Sequence, residues 1–288
     1  MRICYVDGAY VPAQDATVSM WDRGYQLSDG VYEVIVFFNH RFLDEEKHIE
    51  RLRRSLDILK INVEMTDAAL KLLMREVIRK NAYRDGSIYV QITRGVAKRG
   101  HPFPNPEVKP VVTMAVFPAK QPPAKDVEEG VRVVSVPDLR WQHCDIKSIS
   151  LLGNVIANQQ GVEQGAKEVY MVNDKGFVTE GSLSNSYIVT YDNLLITHPI
   201  DDHILNGVRR QNVMRLAEEL GIKVEERPFT LEEAKAARES FLTSANTNIL
   251  PVTTIDDSSI GNGKPGEITL KLLAAYRKHV AEQTGFTP

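Results

Sequence analysis

Cysteine is almost missing from this chain. The two residues present in 288, Cys4 and Cys144, lie far apart and outside any CxxC pattern, so neither a disulfide scaffold nor a zinc site is implied and both are expected as free thiols. His40, His143, His198 and His203 show no ligand spacing either, and no metal is expected. No stretch approaches the roughly 18 apolar residues of a membrane span, and the start, MRICYVDGAYVP, has no apolar leader. A dense Lys/Arg block is also lacking, and the formal net charge is −3. These absences argue against nucleic acid and membrane as partners. The expectation is a cytoplasmic protein whose partners are small molecules.

The apolar fraction of 43% and charged fraction of 25% are those of an ordinary globular chain, long enough for about two domains. Its first third reads as hairpins followed by helices. ICYVDGAYVP places a DG turn between two alternating runs, and VYEVIVFFNHRFLD folds back at Asn39-His40. DEEKHIERLRRSLDILKI carries Ile49, Leu52, Leu56 and Leu59 at helical spacing with acids at its start. TDAALKLLMREVIRKNA is a second helix capped at Thr66 or Asp67, and SIYVQITRGV and VVTMAVFP are strands. A proline-rich stretch, 119–125, then divides an N-terminal domain, 1–118, from a C-terminal domain, 126–288. Beyond it come the strand VRVVSVPDL, the helix LLGNVIANQQGVEQGA, a strand meander from Glu168, a helix VRRQNVMRLAEELG closed by Gly221, a short helix TLEEAKAARE and the strand SFLTS. There is no internal repeat. Helices and hairpins mixed in both halves predict a mixed α+β (α/β) fold rather than a doubly wound parallel sheet.

The chemistry turns on CDIKSISLLGNVIANQ. Lys147 stands between a polar run and an apolar helical segment, and taken alone it reads equally as a solvated loop residue. Glu180, in VTEGSLSNS, opens a small hydroxyl-rich turn and has the same ordinary alternative. A lysine, an acid and phosphate donors are together what an amine-activating cofactor such as pyridoxal 5'-phosphate needs. Phosphate donors are available at Gly207-Val208-Arg209, which immediately precede a helix, and in LTSANTN, where Ser244 and Ala245 lie in a polar turn after a strand. Arg51 interrupts the apolar stripe of its helix; it is either a surface arginine or a bidentate phosphate ligand.

Together, DRGYQLSDGVYEVI, HIERL, ITRG, DIKSISLLGNVIANQ, EVYMVNDKGFVTEGSLSN, THPIDDHILNGVRR and FLTSANTNILPV resemble the fold type IV pyridoxal-phosphate enzymes in order and spacing, nearly end to end. That family holds D-amino acid transaminases, branched-chain aminotransferases and aminodeoxychorismate lyases. The resemblance implies a two-domain architecture with hairpin-rich sheets and flanking helices. It also implies that Lys147 is the Schiff-base lysine and proton shuttle, Glu180 the partner of the pyridine nitrogen and Arg51 a phosphate ligand. Leu205 would pack behind the ring, with Val208, Arg209, Ser244 and Ala245 at the phosphate.

Two positions depart from the family pattern: Arg209 and Ala245 stand where threonines are usual, leaving backbone donors there. RGVAKRGHPFP resembles the D-specific loop in which Arg99 and His101, with Tyr32, capture the substrate carboxylate across a homodimer. The implied function is ping-pong transfer of an amino group from a D-amino acid such as D-alanine to a 2-oxo acid such as 2-oxoglutarate. The alternatives are a branched-chain L-amino acid aminotransferase and a catalytically inactive binding protein of the same fold.

Overall fold

The computed structural model describes residues 2–245 and 247–287. The chain forms two compact units. One is the segment ending at Ala119 together with Ile146–Ser150 and Ala281–Phe286; the other is built from Lys120–Asp145 and Leu151–Val280. A division at a single linker, 119–125, therefore needs correction: the chain leaves the first unit there but returns to it twice. The stretch is also shorter than its prolines suggest, because a helix begins at Ala124 with Pro123 as its N-cap, a position where the fixed proline φ does no harm.

In the first unit the hairpin β1 (Ile3–Val6) and β2 (Ala9–Pro12) turns at Asp7 and Gly8, both at positive φ. A short helix, α1 (Arg23–Leu27), precedes the long strand β3 (Gly30–Phe38), which meets β4 (Arg41–Phe42) through Asn39 and His40, again both left-handed as a tight hairpin demands. Helices α2 (Glu45–Ile58) and α3 (Asp67–Asn81) follow, the second capped by the Thr66 side chain, and then β5 (Gly86–Thr93) and β6 (Val111–Pro118). The antiparallel sheet runs β2-β1-β6-β5-β3-β4. Alternate residues Val31, Ile35 and Phe37 of β3, with Ile88, Val90 and Ile92 of β5, pack against Ile49, Leu52 and Leu56 of α2 and Leu70, Met74 and Val77 of α3.

Because β4 has only two residues, it pairs with Phe37 and Phe38 alone. At the other end of that edge of β3, Ile149 N–H donates to the Gly30 carbonyl (3.1 Å), Tyr32 N–H donates to the Lys147 carbonyl (3.0 Å), and Val31 and Ser148 form a bridge. This pairing brings the Lys147 segment back to the first unit.

The second unit contains α4 (Ala124–Glu128), β7 (Val131–Pro137), α5 (Leu152–Glu163), β8 (Glu168–Val172), β9 (Phe177–Val178), β10 (Asn185–Val189), β11 (Leu195–Thr197), α6 (Val208–Glu219), β12 (Val224–Glu226), β13 (Phe229–Thr230), α7 (Leu231–Lys235), β14 (Glu239–Ser244), β15 (Asn248–Ile255), β16 (Ser258–Ser259) and, as far as Val280, α8 (Glu267–Thr284). Its mixed sheet runs β12-β11-β10-β14-β15-β7-β8-β9-β13, with β16 on β15. Buried Glu239 takes the place of an N-cap for α8: it accepts from the N–H groups of Ile268 (3.1 Å) and Thr269 (2.8 Å), and a Cβ on Gly266 would meet its carboxyl carbon at 1.9 Å.

Helix α5 reverses the usual amphipathic order. It packs on β7 and β8 through Ala157 and Gly161, while Leu152 (72% exposed), Val155 (59%) and Val162 (60%) face outward. Among the described residues no helix is long and apolar enough to cross a membrane.

Candidate active site

Lys147 is half-buried, and its Nζ sits 4.2 Å above the ring of Tyr32. Its backbone is fixed from two sides: the carbonyl accepts from Tyr32 as described, and the N–H donates to Ser55 Oγ of α2 at 3.2 Å. Tyr32 points to the sheet face opposite Val31 and Ile35, stacked on Tyr89 with ring centroids 5.5 Å apart. Burial and the neighbouring Tyr32 push the Tyr89 hydroxyl up to about 12, so it stays protonated and donates to Gln91.

The next residue along β3, Glu33, points the other way, into the packed layer, and is fully buried. Arg51 clasps it with Nε on Oε1 (2.7 Å) and Nη2 on Oε2 (2.8 Å), and His48 Nδ1 lies 2.8 Å from Oε2. Burial alone would raise the Glu33 carboxyl, but the Arg51 charge and then His48 outweigh it and hold the group well below the usual carboxylate range. A depressed folded pKa means stability that is present above the ordinary carboxylate value and lost only as the pH falls through the lower folded one. Replacing Glu33 by Gln removes the negative charge that the Arg51 guanidinium clasps in that layer. Denaturant unfolding at neutral pH is expected to show a loss of about 3–5 kcal/mol; a loss below about 1 kcal/mol would refute the clasp.

Arg99 and His101 are exposed on the loop between β5 and β6. The backbone of that loop is held from behind. Arg23 Nη1 donates to the Gly100 carbonyl at 2.6 Å, and Nη2 reaches the His101 carbonyl at 3.4 Å.

In the second unit Glu180 is buried between β9 and β10. Oε1 accepts from Arg140, and Oε2 accepts from Asn185 Nδ2 (3.0 Å) and the Leu205 N–H (3.2 Å). Asp138 holds the other side of the Arg140 guanidinium at 2.7 Å. Burial raises the Glu180 carboxyl and Arg140 lowers it, with a net upward shift. Burial also works against the Arg140 cation, but the attraction of Glu180 and hydrogen bonding to Asp138 more than offset it. A carboxylate offers about four acceptor directions, and three are taken here. One remains on Oε1 for a protonated nitrogen.

A second buried acid, Glu168, builds the turn after Glu180. It accepts from Ser182 N–H (3.1 Å), Leu183 N–H (3.1 Å) and Ser184 Oγ (3.0 Å). The turn is thus ordered from beneath, whereas its small polar residues alone suggest solvent.

Helix α6 starts at Val208 with Gly207 as N-cap and no side-chain cap, which turns the positive end of its dipole into a suitable place for an anion. Gly207 is needed there, because a Cβ would meet Asn185 Oδ1 at 2.2 Å; the same Asn185 that holds Glu180 therefore backs the start of α6. Leu205 is half-buried two residues earlier. The Arg209 side chain is buried, its guanidinium carbon 5.5 Å from the Tyr276 ring centroid. Ser244 ends β14, onto which α6 packs, and Ala245 follows in the turn, where Ser244 Oγ lies 2.8 Å from Thr247 Oγ1.

Folding also assembles groups that sequence spacing does not reveal. Donor atoms of His143, Asp145 and Asp202 lie within 4.8 Å of one another, but His143 and Asp202 are exposed and water can satisfy them. Cys144 beside them is buried, which pushes its thiol up to about 12 and leaves it protonated. Arg140, Asn185, Glu33, His48 and Arg23 carry no local motif of their own. Asn185 is in reach of reasoning only because it closes the GSLSN run.

The model of the class IV amino-transferase family matches residues 30–255. D-alanine aminotransferase of Bacillus licheniformis is 39% identical over 287 residues, covering 100% of both chains. The D-alanine aminotransferase of Staphylococcus haemolyticus is 37% identical over 285 residues, with 99% of this chain and 100% of that protein covered. Among solved structures, Escherichia coli branched-chain amino acid aminotransferase superposes with a TM-score of 0.91 at 25% identity, over 100% of this chain and 96% of the other. The chain belongs to the class IV aminotransferases, enzymes that work with pyridoxal 5'-phosphate. The residues fit that cofactor: a half-buried amine, a buried carboxylate with one acceptor direction spare, and an uncapped helix N-terminus.

Proposed function

We propose that the enzyme transfers the amino group of a D-amino acid, such as D-alanine, to a 2-oxo acid, such as 2-oxoglutarate, and that it does so as a homodimer. The observation that carries the reading is the pairing of Lys147 with Tyr32, amine over ring at 4.2 Å, on a sheet whose β5–β6 loop exposes Arg99 and His101. The curated relatives named above, similar over their full length, are D-alanine aminotransferases and support the same reading.

Pyridoxal phosphate supplies the electron sink that makes an amino acid's alpha hydrogen acidic. Lys147 would hold it through its side-chain amine, and that amine would carry the proton of the alpha carbon. Glu180 would keep a proton on the pyridine nitrogen, and Leu205 would pack against the ring. The Arg51 side chain, the start of α6 at Val208 and Arg209, and the turn at Ser244 and Ala245 would hold the phosphate. Tyr32 gives a hydroxyl donor, and Arg99 and His101 give charged, directional donors, to the substrate carboxylate. With the carboxylate fixed on that side, the alpha hydrogen facing Lys147 is that of a D-amino acid.

A second copy of the chain is supported by α5, whose exposed apolar residues Leu152, Val155, Ile156 and Val162, with Gln159 and Glu163 among them, suit burial against another protein surface. In the cytoplasm, where thiols stay reduced, Cys4 and Cys144 keep the free state seen here.

The test is the visible spectrum of the purified protein as D-alanine or L-leucine is added without any 2-oxo acid. Loss of the yellow band with D-alanine alone is the expected result. Loss with L-leucine alone would overturn it and assign a branched-chain L-amino acid aminotransferase, and a colourless protein that gains no colour with added cofactor would point to a binding protein.

A further inference from the structure

We infer that Arg23 is a positioning residue for the carboxylate-binding loop: its buried guanidinium fixes the backbone at Gly100 and His101 and so aims the Arg99 and His101 side chains. The inference rests on the proposed reading of those two side chains.

Arg23 is 3% exposed, and three of its donors are placed. Nε pairs with Asp29 Oδ2 at 2.7 Å while the two terminal nitrogens take the Gly100 and His101 carbonyls. Asp29 Oδ2 is shared with Arg94 Nε at 2.8 Å, and Arg94 sits 3.7 Å from the ring centroid of Phe103, farther along the same loop. Arg94 is itself anchored on the Leu59 and Lys60 carbonyls at the end of α2. One carboxylate thus organises two arginines that grip the loop on both sides of His101.

The base of Arg23 is equally constrained. Asp22 accepts from the Gly24 N–H (2.7 Å) and Thr93 Oγ1 (2.9 Å), Arg23 N–H donates to the Gly95 carbonyl (2.9 Å), and a Cβ on Gly24 would meet Thr93 Cγ2 at 2.2 Å. A loop with exposed side chains and no ladder hydrogen bonds between residues 97 and 110 would otherwise sample many conformations. A planar fork can hold an acid and two carbonyls at once, whereas an ammonium on a flexible stem cannot.

The test is Arg23→Lys in the holoenzyme, with Arg99→Ala alongside. For Arg23→Lys the KM for D-alanine is expected to rise about 10- to 100-fold, the scale on which small misplacements act. Its kcat and the rate at which hydroxylamine, which has no carboxylate, bleaches the bound cofactor should stay at wild-type values.

An unchanged KM in Arg23→Lys beside a raised KM in Arg99→Ala overturns the positioning role. An unchanged KM in both overturns the reading of Arg99 and His101 instead. Equal losses toward D-alanine and hydroxylamine would mean general damage to the site and also overturn the inference. Should the lysine variant fail to fold, Arg23→Gln, which buries no charge, is read against the same outcomes.

Discussion

Replacing Lys147 with Ala is expected to lower transamination by at least ~10⁴-fold, because in the proposed role the variant loses both the covalent attachment and the base that moves the alpha proton. The backbone of the segment should survive. Its fixed points are the Lys147 carbonyl, which accepts from Tyr32, and the Lys147 N–H, which donates to Ser55; neither needs the side chain. The variant should therefore fold and elute as the wild type does, and only its colour and turnover should change. Turnover within tenfold of the wild type would remove Lys147 from its role.

The same variant tests the homodimer. If Arg99 and His101 serve the neighbouring copy's site, mixing Lys147→Ala with Arg99→Ala after mild dissociation puts both defects in one site of each heterodimer and leaves the other intact. Random exchange should restore about a quarter of the wild-type sites. Mixed samples whose activity is only the average of the two parents would show that each chain uses its own loop.

Much of the fold was legible because local chemistry and tertiary structure agree. The Asp7-Gly8 and Asn39-His40 turns adopt the positive φ that their hairpins require, and Thr66 caps α3 as its position before an apolar-periodic run suggests. The patterning does not extend to β15 and α8. Strand β15 is central in its sheet and buried on both faces, so it lacks alternation, and the N-terminus of α8 is satisfied by Glu239, distant in sequence, in place of a local cap.

The site was legible only through the resemblance, and the physical reason is the same. Glu33, His48 and Arg51 come from a strand and a helix joined by packing, and Arg140 reaches Glu180 across 40 positions. A carboxylate on a strand or an arginine before a tryptophan has no pattern of its own. The return of the Lys147 segment to the β3 edge follows from the shortness of β4, a property of pairing that no local window contains.

Glu180→Gln is nearly isosteric, yet its expected cost is large on two separate readouts. In the native arrangement every group around this carboxylate is a donor: Arg140 on Oε1, Asn185 Nδ2 and the Leu205 N–H on Oε2. A glutamine must turn its NH₂ toward one side or the other, and each choice sets donor against donor. Leaving those buried groups without acceptors should cost about 1–3 kcal/mol in unfolding experiments. Asp138 keeps Arg140 partly compensated, with Thr179 Oγ1 donating to the same carboxylate oxygen at 2.6 Å, so collapse of the unit is not expected. The chemical loss expected from the proposed role comes from the missing negative charge, since a neutral amide would no longer favour a proton on the pyridine nitrogen. Turnover should fall by about 10²–10⁴-fold, the range for losing a group that holds a proton where the reaction needs it. Glu180→Asp keeps the charge but shortens the reach, and it should recover part of the rate without recovering the Leu205 contact. Equal rates for the Gln and Asp variants would show that shape, and not charge, is what the site requires of this residue.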